Sequence, residues 1–366
     1  MSQDSKLIEE KISLIKNWDD FISLAYSHGV FPLVYQVLKK HEDKIPLNTF
    51  AFMKQTYMNL VKTNMLMTSE LIKVSKLLEE NGIKAIAFKG PVLSAMAYGD
   101  VISRQYVDLD ILVDDDRLLD AIEILKNNEY SLEDDFKLDL LKKNRSIFHD
   151  VTLRKNNIVN IELHWRLFSD EYMTGISDLN IKENLRPFEY QNQTLNVFDN
   201  EIQILYLSIH GAKHNWERIE WLVDIVRFIE NNTMNWKRLL DFIEKTKTEK
   251  ILFSTFYLCK TILDLSLPKE IEEKIEKSNI LKFSKRFEQF FYKNFNYMLE
   301  HDVESKKISK IQFDILHGYK NKLLFIIALL KPTELDYQSV NLPKYMSFLY
   351  YLIRPINLCV KSIKRL

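Results

Sequence analysis

Two aspartates separated by one residue are the feature of the sequence that points most directly to chemistry. Asp108 and Asp110 flank a leucine and lead into an apolar run at residues 111–113. Alternate side chains of a β-strand lie on the same face, so the two carboxylates would emerge together. Because side-by-side carboxylates repel each other, they need water, a basic group or a cation such as Mg²⁺, which binds one or two carboxylates together with substrate phosphates. A pair of exposed acids at a strand end is the alternative.

A third acid, Glu162, stands in a second strand-like segment at residues 159–165. If that strand lies beside the first, three carboxylates converge and can hold two divalent cations, an arrangement used for in-line phosphoryl displacement. We therefore predict that Asp108, Asp110 and Glu162 bind metal.

A lysine–glycine turn upstream of the acids is suited to phosphate. Lys89 and Gly90 follow a β-like run at residues 83–88 and precede a helical segment. Glycine lets a backbone approach a phosphate closely, the helix N-terminus that follows offers free N–H groups, and Lys89 adds a positive charge. Arg104, just ahead of the acidic strand, could clamp a phosphate with two parallel hydrogen bonds. Gly-Pro is also an ordinary loop signal, so the turn gains meaning only beside the acids.

The elements that must position these residues are short strands and helices. Strand-like runs occupy residues 83–88, 109–113, 148–154 and 159–165, and helical segments occupy 92–98 and 117–127. A long helix is predicted over residues 47–80, ending at an Asn-Gly pair that commonly caps helices. The predicted fold class is α+β and mainly α. A small mixed β-sheet core at residues 81–170 would lie between an N-terminal helical segment (1–80) and a C-terminal helical region (171–366).

Composition agrees with long helices and excludes some classes of protein. Only 7 glycines and 8 prolines occur in 366 residues, which argues against a β-sandwich or barrel. The 51 Lys and Arg residues balance 51 Asp and Glu residues, whereas proteins that bind long nucleic acids usually carry a basic excess. Two distant cysteines, a polar N-terminus without an apolar signal core and the lack of a long uncharged run predict a cytoplasmic protein.

The order strand, glycine turn, helix, Asp-x-Asp strand, third-acid strand resembles the nucleotidyltransferase (DNA polymerase beta-like) superfamily. More narrowly, the chain looks like an uncharacterised bacterial nucleotidyltransferase family at residues 28–30, 86–90, 98–100, 104–113, 162–165, 210–218 and 221–225, with weaker likeness at 354–355. The chain departs from the superfamily in two ways. Its turn is Lys-Gly-Pro instead of Gly-Ser or Gly-Gly, and the interval from Gly90 to Asp108 is longer than typical.

The resemblance implies transfer of a nucleoside monophosphate from an NTP, with ATP as the default donor, and release of pyrophosphate. Asp108 and Asp110 would bind the Mg²⁺ (or Mn²⁺) that bridges the triphosphate. With Glu162 they would hold a second ion that activates the acceptor hydroxyl, and Glu162 or Asp110 would take its proton. The acceptor stays open: a small molecule, a sugar or lipid precursor, a peptide or a protein is favoured over long nucleic acid.

His210 and His214 are further candidates, and Lys213 lies between them. On a continuous helix they would share a face with position 221 and with Glu217 and Asp224, either of which could complete a zinc site. Zinc is disfavoured, because the metalloprotease pattern places glutamate directly after the first histidine and this chain has glycine there. Two alternatives stay open: His210, Lys213 or His214 reaches the nucleotide or acceptor, or the helix packs at a domain interface.

The C-terminal residues 345–366 are rich in aromatic and aliphatic residues and end with Lys361, Lys364 and Arg365. They could form an amphipathic helix on a membrane surface, although a helix packed on the body with a solvated basic end is the favoured reading. Two other functions therefore compete with catalysis: a catalytically silent nucleotide-binding scaffold and a membrane-surface assembly factor. The intact acids count against the silent scaffold.

Overall fold

The structure is a computed structural model that describes residues 3–133, 148–156, 158–168, 179–294, 318–340 and 344–363, with single positions at 138, 141, 176, 313, 314, 316 and 342. The α-helices are α1 (Gln3–Ser13), α2 (Trp18–Ser27), α3 (Phe31–Leu38), α4 (Leu47–Glu80), α5 (Gly90–Tyr98), α6 (Leu118–Lys126), α7 (Asn200–Lys213), α8 (Ile219–Asn231), α9 (Trp236–Thr246), α10 (Glu249–Leu263), α11 (Lys269–Ile275), α12 (Ser278–Asn294), α13 (Gly318–Leu329), α14 (Glu334–Ser339) and α15 (Tyr350–Ile363). The strands are β1 (Ile86–Ala87), β2 (Leu109–Leu112), β3 (Ser131–Leu132), β4 (Asp150–Lys155), β5 (Val159–His164), β6 (Leu185–Tyr190) and β7 (Gln193–Phe198). Short 3₁₀ helices occupy Lys39–Lys44, Asp115–Arg117, Ile181–Glu183 and Lys344–Leu349.

The N-terminal helices have a small apolar cluster of their own. The Asn17 side chain begins α2 by accepting hydrogen bonds from the backbone N–H groups of Asp19 and Asp20. Phe31 and Met53 are buried in this cluster, which joins α1, α2 and α3 to the start of α4. The 34 residues of α4 continue from there to the sheet, so the predicted helix over residues 47–80 is confirmed.

The sheet is mixed, as predicted, and its described strands run in the order β3-β4-β5-β2-β1-β7-β6. β2 and β5 are parallel neighbours, and β1 is antiparallel to β2 and parallel to β7. β3, β4 and β5 pair antiparallel at one side of the sheet. The four residues of β2 are all buried, as expected for a central strand covered on both faces.

The sheet extends beyond residue 170, where the sequence predicted a helical region. β6 and β7 form a hairpin whose turn residues, Gln191 and Asn192, both adopt positive φ (50° and 61°). Such a turn usually carries glycine, and this one does not, so the ordinary hairpin signal is missing from the sequence. The hairpin adds to the sheet through the pairing of Ile86 with Asn196.

One large apolar core joins the sheet to the helices that follow it. Its buried side chains run from Met67 in α4 to Phe325 in α13 and include every central strand. α8 packs against α5, and α10 packs against α7, α8 and α12. The α+β, mainly α class is therefore confirmed, and the helices downstream of the sheet are held against the elements that carry the predicted site.

The C-terminal helix α15 has one packed side and one exposed apolar side. Arg354 and Asn357 bind the carboxylate of Asp336 in α14, with distances of 3.4 and 2.8 Å. Leu352 and Ile356, one turn apart, are 64% and 62% exposed. Among the described residues, none of the helices combines the length and the apolar character that a bilayer crossing requires.

Candidate active site

The sheet brings two of the predicted acids together. β2 and β5 pair in a register that sets Asp110 directly opposite Glu162. The Asp110 side chain is 1% exposed and that of Glu162 is 34% exposed. Asp108 lies just before β2 and is half-buried. Parallel pairing of the two apolar strands therefore places Glu162, a more exposed acid, beside the buried Asp110.

Two basic groups surround Asp110. Lys89 Nζ lies 3.1 Å from Asp110 Oδ1, and His164 Nε2 lies 3.3 Å from the same oxygen. His164 Nε2 is also 3.5 Å from Glu162 Oε2. The other carboxylate oxygen of Asp110, Oδ2, is buried and has no hydrogen-bond partner. Asp110 thus keeps one oxygen that no described protein group satisfies.

The charges of this cluster shift the pKa values of its members. Burial opposes ionisation of Asp110, but the Lys89 ammonium and the His164 ring hold the pKa of its carboxyl below the usual range. Burial and repulsion by Asp110 raise the pKa of Asp108 to about 6. Burial lowers the pKa of the His164 ring, but the carboxylates of Asp110 and Glu162 outweigh burial and raise this pKa to about 9. Asp110 therefore stays ionised, and the acids attract positive charge.

The donor atoms of this cluster suit a divalent cation. Three possible ligand atoms lie within 4.8 Å of one another, one each from Asp110, Glu162 and His164. A second group at this spacing consists of His149, Asp150 and His164. Among the described residues, Asp108 does not join a group of three at this spacing. Carboxylate oxygens, one of them buried without a partner, are the ligands that hard divalent ions prefer.

The lysine–glycine turn touches the acidic segment directly. Gly90 has a φ of +54°, and a Cβ added there would lie 3.2 Å from the backbone oxygen of Asp108. Only glycine combines that backbone conformation with so close an approach. Gly90 also begins α5, with Pro91 in its first turn, so free N–H groups of the helix N-terminus lie beside the acids. The long interval between Gly90 and Asp108 is taken up by α5 and the loop that returns to β2.

Arg104 binds protein carboxylates. Its Nη2 lies 2.9 Å from Glu220 Oε1 and its Nε lies 2.9 Å from Asp224 Oδ2, both on α8. Tyr98 donates a second hydrogen bond of 2.7 Å to Asp224. Burial opposes the charge of Arg104, yet these carboxylates raise the pKa of its guanidinium. We call Tyr98, Arg104, Glu220 and Asp224 the Arg104 junction. Its guanidinium is already neutralised by two buried acids, which does not suit the predicted phosphate clamp.

Comparison with protein families settles the class of this chain. A family model described as "uncharacterised nucleotidyltransferase" matches residues 16–264, more than half of the chain. The chain belongs to this nucleotidyltransferase family. The match includes the whole sheet, the acids and the Arg104 junction, and it makes the protein a transferase. A search of curated proteins finds no match.

In this nucleotidyltransferase, the segment from His210 to Asp224 is not the continuous helix that the sequence predicted. α7 ends at Lys213, Asn215 and Trp216 adopt positive φ (56° and 47°), and α8 begins only at Ile219. The turn nevertheless brings three rings into contact in tilted or edge-on pairs: the ring centroids of His210 and His214 lie 4.9 Å apart, and that of Trp221 lies 5.4 and 5.2 Å from them.

This arrangement favours packing over zinc. Among the described residues, no group of three metal-binding side chains includes His210 or His214. Burial, followed by the charge of Lys89, holds the pKa of His210 well below its usual value, so its ring is neutral. His210 stacks on Tyr206 with ring centroids 5.9 Å apart, and Tyr206 packs edge-on against Phe88, the residue before Lys89. The histidines therefore belong to an aromatic wall next to the lysine of the site.

His164 and Tyr206 are site residues that the sequence analysis missed. His164 follows Glu162 by two positions on β5, so strand alternation places both side chains on one face. The same alternation that singled out the two aspartates could have identified it. Tyr206 precedes His210 by one helical turn, but nothing in the sequence indicates that this part of α7 packs on Phe88, next to Lys89.

An apolar cavity of about 430 Å³ lies beyond the acids along the same strands. Leu112 lines it and lies two residues from Asp110, so both side chains point to the same face of β2. The cavity is also lined by Trp165, Phe168 and Lys182. The indole N–H of Trp165 is buried without a hydrogen-bond partner. The face of the sheet that carries the acids thus continues into a cavity of small-molecule size.

Proposed function

We propose that this nucleotidyltransferase moves a nucleoside monophosphate from an NTP, ATP by default, to an acceptor in a reaction that depends on Mg²⁺ or Mn²⁺. The observation that carries the proposal is the pairing of Asp110 with Glu162 on parallel strands, beside Lys89 and the Gly90 turn. A pair of surface acids would be solvated, whereas Asp110 is buried with one oxygen unsatisfied. Lys89 pairs with Oδ1 of this acid, and the divalent ion that accompanies a triphosphate would supply a partner for Oδ2.

The donor end of the site is proposed at the turn before α5. The N–H groups of the α5 N-terminus and the Lys89 ammonium both attract phosphate oxygens. Lys89 stays protonated, because the Asp110 carboxylate raises the pKa of its amine although burial lowers it. We therefore assign to Lys89 two contacts, one that keeps Asp110 ionised and one that neutralises the triphosphate.

The reaction needs alignment more than covalent help from the protein. The acceptor oxygen attacks the α-phosphorus, a new P–O bond forms, and the bond from that phosphorus to the oxygen of the leaving pyrophosphate breaks. Glu162, a third exposed, is the proposed base that takes the acceptor proton, since Asp110 is held by Lys89. Divalent ions held by Asp108, Asp110 and Glu162 would neutralise charge on the transferring and leaving phosphates.

The cavity beyond Leu112 supports an acceptor with an apolar part. Its walls are mainly hydrophobic, with Lys182 at its lining. The chain as a whole has no net charge, which disfavours a long nucleic acid as acceptor. We propose a small molecule, a sugar or lipid precursor, or a peptide or protein side chain that enters from this side.

Donor use and acceptor labelling test this proposal. The protein is incubated with each α-labelled NTP, with Mg²⁺ or Mn²⁺ and a cell extract, and binding of a non-hydrolysable NTP analogue is measured by calorimetry. We expect analogue binding that requires the metal, and label transfer that is lost in Asp110→Asn. Asp116→Asn, an exposed acid just past β2, is the matched control. If no NTP analogue binds with either metal and no fraction takes label, the protein is not a working nucleotidyltransferase.

The exposed side of α15 supports a second, independent proposal: weak contact with a membrane surface. Leu352 and Ile356 form an exposed apolar stripe, the pattern of helices that lie in the bilayer interface. Sedimentation with anionic vesicles tests it by comparing the full-length protein with a Leu352→Glu, Ile356→Glu variant. Equal sedimentation of the two proteins would leave α15 as a helix that only packs on α14.

A further inference from the structure

His164 is a buried histidine whose ring nitrogens lack a hydrogen-bond partner. Its side chain is 5% exposed, and neither Nδ1 nor Nε2 makes a bond of acceptable geometry to any described group. Buried polar side chains are nearly always hydrogen-bonded, and an exception indicates an absent partner such as water or an ion. An imidazole between two carboxylates would be expected to donate to one of them in good alignment, and this one does not.

The spacing around His164 matches that of neighbouring metal ligands. Its Nε2 lies 3.3 Å from Asp110 Oδ1 and 3.5 Å from Glu162 Oε2. Ligands that bind one divalent ion at about 2.1 Å, at adjacent corners of an octahedron or tetrahedron, lie roughly 3.0–3.4 Å apart. The ring is held in place by Phe88, which packs edge-on at 5.2 Å between centroids. The nitrogen is therefore positioned where a third donor would be, and binding of the ion would release the proton that the two carboxylates favour on the metal-free ring.

We propose that His164 binds the same divalent cation as Asp110 and Glu162, and that this nitrogen makes the site prefer a first-row transition ion such as Mn²⁺ to Mg²⁺. Mg²⁺ takes oxygen ligands almost exclusively, whereas imidazole strengthens binding of transition ions. The inference rests on the metal site of the proposed function. It adds the donor set and the metal preference, and metal binding alone is its readout.

His149 and Asp150 provide the internal control. Asp150 pairs with His164 across β4 and β5, and the rings of His149 and His164 lie 5.7 Å apart. These side chains form with His164 the other group of three donors in the described residues. A nitrogen signal from a bound ion could thus come from His149 or from His164, and separate variants distinguish the two.

The experiment measures nitrogen coupling to bound Mn²⁺ in the whole protein. Pulsed electron paramagnetic resonance of the Mn²⁺ complex is recorded for the wild type, for protein with ¹⁵N-labelled histidine, and for His164→Gln and His149→Gln. We expect ¹⁴N modulation in the wild type, its replacement by a ¹⁵N pattern on labelling, its loss in His164→Gln and its persistence in His149→Gln. Dissociation constants should rise on the order of 10–100-fold for Mn²⁺ in His164→Gln and change little for Mg²⁺.

Each other outcome has a distinct meaning. If Mn²⁺ binds and Asp110→Asn abolishes that binding, but no nitrogen modulation is seen, the inference fails and the proposed metal site stands. If modulation disappears in His149→Gln and persists in His164→Gln, His149 is the ligand and the inference is wrong. If neither ion binds the wild type, the inference and the proposed function fail together.

A folding defect would not obscure the result. Circular dichroism and melting in EDTA show whether His164→Gln is folded. Should it unfold, the labelled wild type, His149→Gln and Asp110→Asn decide, because a modulation that persists in His149→Gln and is lost in Asp110→Asn comes from His164.

Discussion

Two clusters of buried charge lie close together in this protein, and they differ in how completely their atoms are satisfied. In the Arg104 junction, one guanidinium binds two carboxylates at 2.9 Å each and Tyr98 donates to one of them. Around Asp110, a carboxylate oxygen and both nitrogens of His164 have no hydrogen-bond partner. The two clusters use the same kinds of side chain. Complete pairing indicates a structural role, and buried donors left without partners indicate a place for a ligand.

The comparison also explains why sequence order misleads at Arg104. It stands four residues before Asp108, yet its partners come from α8, 120 residues later in the case of Asp224. The loop between α5 and β2 therefore serves two purposes at once. Arg104, in this loop, pairs with the acids of α8, and Asp108, at the end of the loop, lies at the candidate site.

The largest expected effect separates the two clusters by activity. Asp110→Asn should lower nucleotidyl transfer on the order of 10³-fold, because a charge aimed at the transferring group is removed. The amide keeps the shape and can still accept from Lys89, so the fold should persist. Initial rates with labelled NTP, compared with Asp116→Asn, measure the effect. A variant with nearly full activity would mean that the unsatisfied oxygen of Asp110 has no functional role.

The next test removes the positive charge of the Arg104 junction. Arg104→Met should destabilise the protein by about 3–5 kcal/mol, because two buried carboxylates lose their shared cation. Urea unfolding followed by circular dichroism measures the change in the free energy of unfolding. Adding Glu220→Gln and Asp224→Asn should recover part of it. If Arg104→Met folds as stably as the wild type but cannot bind an NTP analogue, Arg104 belongs to the donor site after all.

A glycine beneath the Arg104 junction offers a smaller effect with a matched control. Gly29 has a φ of +74°, and a Cβ there would lie 1.6 Å from Glu220 Oε2. Gly82 has a φ of +70° and nothing within 4 Å. Gly29→Ala should cost about 3 kcal/mol, since it displaces a paired acid, and Gly82→Ala only about 1 kcal/mol for its backbone. If the two variants lose equal stability in thermal melting experiments, Glu220 can move away from the added Cβ without destabilising the Arg104 junction.

The smallest effect concerns pH at the aromatic wall. The pKa of His210 is held below its ordinary value by burial, so the unfolded chain binds a proton that the folded chain refuses. The stability that His210 contributes is therefore complete above its unfolded pKa of about 6.5 and is lost as pH falls below it. Between pH 7 and 5.5 the wild type should lose about 1 kcal/mol more than His210→Gln. Urea unfolding at both pH values measures this, and identical pH slopes would mean that the folded ring accepts the proton.

The sequence was most informative where structure depends on near neighbours. Apolar alternation predicted β2, β4 and β5, and the Asp-x-Asp pattern with Glu162 predicted acids on adjacent strands. It was least informative where contacts are distant or signals are absent. The hairpin at Gln191 turns without glycine, and Arg104 is paired by residues on a helix whose position the sequence does not encode locally. His164 was within reach, because its spacing from Glu162 is the spacing of the two aspartates.

The close approach of Gly90 to the backbone of Asp108 fixes the distance between the turn before α5 and the acidic segment before β2. The turn proposed to receive the triphosphate and the segment that carries the first acid meet main chain to main chain, with no side chain between them. Where the phosphorus atom of a donor would rest is therefore set by backbone geometry. Substitutions around the cavity beyond Leu112 can therefore alter which acceptor is admitted without changing the distance between the Gly90 turn and the segment that carries Asp108.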